Sequence, residues 1–177
     1  SNFTVDFGGN TYTAYKSSAG STGTETQFFQ ILKNSTLIFK NGTLDVASPT
    51  AETGRFLWGI HNYANLTLDN MVVDGKNLIN PEWGKVAVQL NNDTVTVKNS
   101  KIYAAEDGHA LEVAYWAPSY GPVTANLENS EINGRIRIGK DGEFDGTDVG
   151  NNAVLNIKSG NTINGNIFNN GVINISG

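Results

Sequence analysis

The residues best suited to recognising a ligand are aromatic side chains in two predicted loops. An aromatic face can stack on the apolar face of a sugar ring, and a nearby carboxylate can accept hydrogen bonds from sugar hydroxyls. The alternative is that these rings fold back onto the flank of the domain, since large aromatic side chains are usually buried. The residues predicted to contact a carbohydrate are Trp83, Glu112, Tyr115, Trp116 and Tyr120.

An acidic segment over residues 140–148 has the residue types of a calcium-binding loop. Carboxylate oxygens fall at Asp141, Glu143 and Asp145, and a glycine directly follows the last of them. The segment departs from the EF-hand pattern at Glu143, where Asp or Asn is usual, and at Asn152, where a bidentate Glu belongs. The alternative is therefore a solvated acidic loop without a metal, and no cofactor other than calcium is predicted.

The two histidines, His61 and His109, are the remaining candidates for acid–base chemistry. No nucleophile elbow precedes a helix in this sequence, so a Ser-His-Asp triad is not predicted. In the repeat described next, His61 aligns with Lys33 and Asn91, which predicts an exposed position at the end of a strand. We expect His109 to be structural.

These candidate residues are carried by a repeat of 29 or 30 residues. A coil of this length cannot bury its own apolar face, whereas stacked coils pair their strands in parallel and form a continuous core. In each copy a short alternating segment ends at a bend residue, whose side chain can hydrogen-bond its equivalent in the next coil as an Asn ladder. The bend residues are Asn41, Asn70, Asn99, Asn129 and, in the fifth copy, Ser159.

The alternation within each copy predicts which side chains point into the core. They are Leu37, Phe39, Leu44, Leu66, Leu68, Val73, Val95, Val97, Ile102, Leu127 and Ile132. A second set of equivalent positions, usually two residues after a glycine, predicts another strand in each coil. These positions are Phe28, Phe56, Val86, Ala110, Ile136 and Ile167.

The repeat predicts an all-β, right-handed parallel β-helix of about six coils, as a single domain over residues 1–177. The right hand follows from the crossover rule for parallel strands. Neither end of the sequence resembles a capping helix, and open solenoid ends expose strand edges. We therefore expect the chain to be part of a longer protein, or to stack end to end on neighbouring domains.

The segments Leu66–Asn70 and Val95–Asn99, with their repeated Asn, resemble the pectate-lyase-like superfamily of right-handed parallel β-helices. Within that superfamily, the sequence is most similar to bacterial surface adhesins and phage receptor-binding modules. The resemblance covers nearly the whole chain and implies the fold. It does not imply one activity, because this fold carries lyases, hydrolases, esterases and adhesins.

Two enzyme classes of this superfamily supply the catalytic alternative. The segments Gly108–Ala110 and Arg135–Arg137 resemble the Gly-His-Gly and Arg-Ile-Lys segments of polygalacturonases, but Val86–Val88 stands where paired aspartates belong. Inverting hydrolysis needs two carboxyl groups across the bond that is cleaved. A pectate-lyase site would need a carboxylate cluster, whereas Asp69 aligns with an outward charged position occupied by Lys40, Lys98 and Glu128 in other copies.

Composition narrows the possible functions. The net charge of −5 disfavours binding to nucleic acid or to an anionic membrane. The absence of cysteine excludes disulfides and thiolate zinc sites, and no apolar run is long enough to span a membrane. We therefore expect a non-catalytic extracellular module on a cell surface or phage particle that contacts glycans or a host-surface receptor. A polysaccharide lyase or hydrolase and a passive stalk are the alternatives.

Overall fold

The computed structural model describes residues 1–17, 19–20, 25–47, 58–79, 85–141 and 146–177. These residues form a parallel β-solenoid of about five turns, which confirms the predicted fold class. They contain strands, turns and bends, and none of their segments is a helix long and apolar enough to cross a membrane.

The strands are short, as expected when a turn residue interrupts the chain several times in each coil. Their bounds are β1 Asn2–Asp6, β2 Thr11–Ala14, β3 Gln27–Ile31, β4 Thr36–Val46, β5 Trp58–Asn62, β6 Asn65–Asp74, β7 Val86–Leu90, β8 Asp93–Lys98, β9 Lys101–Tyr103, β10 His109–Tyr115, β11 Val123–Glu128, β12 Glu131–Asn133, β13 Arg135–Lys140, β14 Gly150–Ile157, β15 Thr162–Asn164, β16 Ile167–Asn169 and β17 Gly171–Ile175.

The named strands stack in parallel in two sheets. The flank sheet contains β3, β5, β7, β10, β13 and β16, and the other strands form the long sheet. In a complete coil the chain passes through the long sheet, bends, continues in the long sheet and then enters the flank sheet. Strands β8, β9 and β10 are one such coil.

Equivalent residues of successive coils lie over one another in columns. One inward column joins Leu37, Leu66, Val95, Ala125 and Leu155 through consecutive strand pairings. All of the inward side chains predicted from the alternation are buried, so that prediction is confirmed. Burying a Leu or Ile side chain contributes roughly 1.5–3 kcal/mol, so these columns make a large contribution to the free energy that holds the coils together.

The repeated Asn residues occupy a left-handed bend in the long sheet. The φ angles of Asn41, Asn70, Asn99 and Asn129 are 58°, 54°, 51° and 46°, a region in which Asn is tolerated better than most residues. The Asn70 amide donates to Asn41 Oδ1 at 3.0 Å, and the Asn129 amide donates to Asn99 Oδ1 at 2.8 Å. Asn99 and Asn70 are not bonded to each other in this way, because the Asn99 amide donates to Asp69 Oδ1 at 3.1 Å.

Several details of the predicted alignment were wrong in the flank sheet. Val86 lies beside Trp58 and His109, and Trp58 lies beside Gln27, so Phe28 and Ala110 do not share the position of Val86, while Phe56 is outside the described residues. Ile136 lies beside Leu111 rather than Ala110, since a bulge in β10 shifts the register after His109. His61 lies beside Gln30 and Gln89, and it is only 5% exposed rather than at an open strand end. Unequal loop lengths displace these strands, so counting residues from the Asn bend does not give their register.

We expect Asn129→Ala to destabilise the fold more than Asn129→Gly. Both changes remove the amide bond to Asn99, but only alanine adds the left-handed backbone cost of roughly 1–2 kcal/mol. Urea titration of the two variants and the wild type measures the difference. Equal midpoints for the two variants would show that the bend conformation carries no cost at this position.

Candidate functional site

The aromatic loop, residues 116–122, connects β10 of the flank sheet to β11 of the long sheet. Two backbone hydrogen bonds close it into a compact turn, from Tyr120 N to Ala117 O at 2.9 Å and from Gly121 N to Pro118 O at 3.2 Å. Gly121 has a φ of 87°, a conformation that a residue with a side chain adopts only with strain. The loop is therefore a defined turn that fixes where its rings lie.

The aromatic loop reaches back over earlier coils. The Lys33 ammonium lies 4.0 Å from the centroid of the Tyr120 ring, and it also donates to the carbonyl oxygen of Ser119 at 3.4 Å. The Tyr120 and Tyr63 ring centroids are 6.0 Å apart. A cation over an aromatic face contributes about 0.5–1 kcal/mol at an exposed site, so these contacts hold the loop against the flank sheet.

A groove opens beside this contact. It has a volume of about 560 Å³ and is lined by Gln30, Leu32, Lys33, Tyr63, Ser119 and Tyr120. Leu32 is 64% exposed, and Trp116 at the edge of the loop is 50% exposed with its ring 6.2 Å from that of Tyr120. The lining combines apolar faces with an amide, a hydroxyl group and a cation, and the groove is shallow and open to solvent.

A stack of rings continues beneath the groove along β5. The centroids of Trp58 and His61 are 4.7 Å apart, and those of His61 and Tyr63 are also 4.7 Å apart. The Asn91 side-chain amide lies 2.9 Å from His61 Nε2, within hydrogen-bonding distance. Burial lowers the pKa of His61 to about 4. At neutral pH His61 is therefore uncharged, and its ring packs against that of Tyr63.

Glu112 belongs to a buried polar network on the outer face of the flank sheet. It is 2% exposed, and its carboxylate accepts a hydrogen bond from Gln89 Nε2 at 3.1 Å and another from the Arg137 guanidinium. Gln89 Nε2 also donates to Asp141 Oδ1 at 3.0 Å, so one amide nitrogen links the two carboxyl groups. Burial raises the pKa of Glu112, while the charge of Arg137 lowers it.

The predicted carbohydrate-contacting residues are only partly brought together. Tyr120 lines the groove and Trp116 stands at its edge, whereas Tyr115 packs against the core and Glu112 lies in the buried network. Trp83 falls outside the described residues. That these residues contact a ligand stays a prediction. Sequence reasoning missed Lys33, Tyr63 and Leu32, because they belong to coils that precede the aromatic loop by 50 residues or more.

Of the three predicted calcium ligands, Asp141 lies among the described residues. Asp141 lies at the end of β13, where its backbone N–H donates to Tyr115 O at 2.9 Å, but Glu143 and Asp145 are outside the described residues. Within the described part of the chain, no three His, Cys, Asp or Glu side chains are grouped in a way that could hold a metal ion. Calcium binding stays a prediction.

The residues that resemble a polygalacturonase site are held in structural contacts. Arg135 bonds the carbonyl and carboxylate oxygens of Asp107, both at 2.9 Å, and Arg137 bonds Glu112. Burial, Arg137 and Arg135 together lower the pKa of His109 to about 4. Asp69 forms an ion pair with Lys98 at 3.1 Å in the outward charged column, as its alignment predicted.

No family model matches this chain, and neither curated proteins nor solved structures provide a match. The structure therefore confirms the β-solenoid fold, and the resemblance to the pectate-lyase-like superfamily stays an expectation. The groove, the aromatic loop and the buried network of Glu112 are the features that bear on function.

Proposed function

We propose that this chain is a non-catalytic binding module that contacts carbohydrate through the groove beside the aromatic loop. The observation that carries the proposal is the aromatic lining of that groove, formed by Tyr63 and Tyr120 with Trp116 at its edge. We place the module on an extracellular surface, as an adhesin or receptor-binding part related to the pectate-lyase-like superfamily.

The groove suits a sugar because its lining includes both polar and apolar groups. Tyr63, Tyr120 and Leu32 offer apolar faces, while Gln30 and Lys33 offer hydrogen-bond donors to hydroxyl oxygens. The Lys33 contact with Tyr120 orders one of these rings before a ligand arrives. A ring that is already ordered loses less conformational entropy on binding.

A polysaccharide lyase or hydrolase is the second candidate, and the carboxyl groups linked by Gln89 are the observation that favours it. Glu112 and Asp141 share one donor, and burial raises the pKa of Glu112, as in many catalytic acids. However, Glu112 is 2% exposed and its charge is engaged by Arg137. A structural network accounts for both features, so we favour binding over cleavage.

A glycan-array screen with and without calcium tests the proposal. We expect binding to at least one glycan, and we expect Trp116→Ala and Tyr120→Ala each to weaken it by about tenfold, since losing an aromatic contact costs about 0.5–1.5 kcal/mol beyond area burial. Tyr15→Ala is the matched control, because Tyr15 is 71% exposed and is not part of the groove lining.

The result distinguishes the three functions. Binding that both groove variants retain at full strength would contradict the proposed site. Release of shorter sugars from pectin-like polymers would show an enzyme, and no binding to any glycan would favour a passive stalk.

A further inference from the structure

The lining of the groove beside the aromatic loop carries a positive charge and no carboxylate. Among the residues that the structure describes, this lining consists of one lysine, two tyrosines, a leucine, a glutamine and a serine. Lys33 is the charged member of this set at neutral pH. The groove is therefore locally positive, although the chain as a whole has a net charge of −5. A positive charge in the lining favours a ligand that carries an anionic group.

The contacts of Lys33 leave its charge without a negative partner. Its ammonium lies 4.0 Å from the centroid of the Tyr120 ring and donates to the carbonyl oxygen of Ser119 at 3.4 Å. Both of these groups are neutral, and no carboxylate of the described residues forms an ion pair with Lys33. An ammonium has three N–H donors, so donors remain for a ligand in the groove.

Other lysines of the solenoid are placed differently. Five of them each form an ion pair with a carboxylate, at distances of 3.3, 2.8, 3.1, 3.1 and 3.5 Å, and these are Lys40, Lys76, Lys98, Lys101 and Lys158 in that order. Lys33 directly follows Leu32 at the end of β3, where the aromatic loop returns over the flank sheet. An anionic ligand in the groove would give Lys33 the kind of partner that these other lysines have within the chain.

Asp141 determines on which side of the groove an anion is favoured. Burial raises the pKa of the Tyr63 hydroxyl, and the negative charge of Asp141 raises it further. A negative group of a ligand would be repelled in the same way beside Tyr63, whereas beside Tyr120 it would meet the Lys33 ammonium. The two tyrosine rings lie 6.0 Å apart. We therefore expect the anion beside Tyr120 and an uncharged part of the ligand over Tyr63.

We propose that Lys33 determines the specificity of the groove by binding an anionic group, a carboxylate or a sulfate, on a saccharide. The Ser119 hydroxyl and the Gln30 amide are further donors in the same lining. A hydrogen bond between charged groups is roughly twice as strong as one between neutral groups, so the groove should prefer an anionic saccharide to its neutral counterpart. This inference rests on the proposed carbohydrate binding and adds to it the chemical class of the ligand.

Pairs of oligosaccharides that differ only in the anion test this inference. The probes are sialyllactose and an oligoglucuronate, each with its carboxyl-reduced form, and a sulfated galactose oligosaccharide with its desulfated form. By isothermal titration calorimetry we expect the wild type to bind the anionic member of at least one pair roughly tenfold more tightly. Lys33→Gln should abolish that preference and Lys33→Arg should keep it. The pair that shows the preference identifies the anion as a carboxylate or a sulfate.

Lys85→Gln is the matched control, because it removes the same charge outside the groove. Lys85 precedes β7, at the opposite end of the parallel flank strands from Lys33, and its ammonium donates to the carbonyl oxygen of Glu106 at 2.9 Å. This variant should keep the preference for the anionic probe. Lys33→Gln also loses the contact with Tyr120, but a loosened loop would weaken the binding of both members of a pair equally and leave their ratio unchanged.

The outcomes separate this inference from the proposed function. Equal affinity of the wild type for both members of every pair would overturn the inference, and so would a preference that Lys33→Gln retains. If neutral glycans bind equally well and Trp116→Ala weakens their binding, the carbohydrate site stands and the anionic class of ligand is wrong. Binding to no glycan at all would overturn both.

Discussion

Replacing Arg137 with alanine is expected to lower the free energy of unfolding by about 3–5 kcal/mol. Glu112 is 2% exposed, and the guanidinium of Arg137 is the positive charge that its carboxylate contacts. Without that charge the carboxylate must stay buried with only the Gln89 amide as a described donor, or it must take up a proton. Urea titration at neutral pH measures the loss.

The pH dependence of this loss identifies its cause. Arg137 lowers the pKa of Glu112 and burial raises it, so the Arg137→Ala protein should have a Glu112 that binds a proton more readily when folded. Because the folded state then binds more protons than the unfolded state, stability falls as the pH rises above the ordinary pKa of Glu. The difference from wild type should therefore shrink on acidification.

Two control variants accompany the measurement. Adding Glu112→Gln to Arg137→Ala removes the buried charge and should recover most of the lost stability. Arg135→Ala breaks an ion pair of 2.9 Å whose partners are 40% and 79% exposed, and it should cost no more than about 1 kcal/mol. A similar loss for both arginine variants would mean that the buried network is not what Arg137 stabilises.

The wild type should lose roughly 3 kcal/mol more stability than a His61→Gln variant when the pH falls from 6.5 to about 4. His61 is neutral and buried in the folded state, but its pKa returns to 6.5 on unfolding. The unfolded state therefore binds a proton that the folded state excludes, so acid favours unfolding. The stabilisation is present above pH 6.5 and is lost as the pH falls towards the folded pKa.

Chemical denaturation at a series of pH values measures this difference. Using the difference between the two proteins cancels the carboxylates and His109, which titrate in both. Parallel stability curves for wild type and His61→Gln would show that His61 is not held neutral in the fold. Glycan binding measured at the same pH values would also reveal whether Tyr63 keeps its place when the ring beneath it becomes charged.

The buried network and the groove share one outward-facing column of the flank sheet. Gln30, His61, Gln89, Glu112 and Arg137 form consecutive positions of a single column on the flank sheet. Such positions normally face water, yet here three consecutive ones, from His61 to Glu112, are at most 5% exposed. These side chains are covered by other parts of the protein, and Gln89, Glu112 and Arg137 satisfy their polar groups by hydrogen-bonding to one another.

The repeat by itself determined the solenoid, the inward columns and the bend. A period of 29 or 30 residues puts like residues over one another, and the alternation around each Asn assigns the two faces of every strand. Burial of the predicted core and the positive φ angles of the four Asn residues follow from those two local rules. Stacking of the strands needs no information beyond the repeat, because within the two sheets each strand pairs only with strands of the neighbouring coils.

Only the tertiary structure decided the burial of His61 and Glu112, the register of the flank sheet and the contact between Lys33 and Tyr120. These features depend on a bulge and on the direction in which a non-repeating loop leaves its coil. A loop that returns over earlier coils covers residues that are distant in sequence. The repeat does not predict the direction in which such a loop leaves its coil. Whether an outward polar residue meets water or another side chain is therefore settled by the loops and not by the repeat.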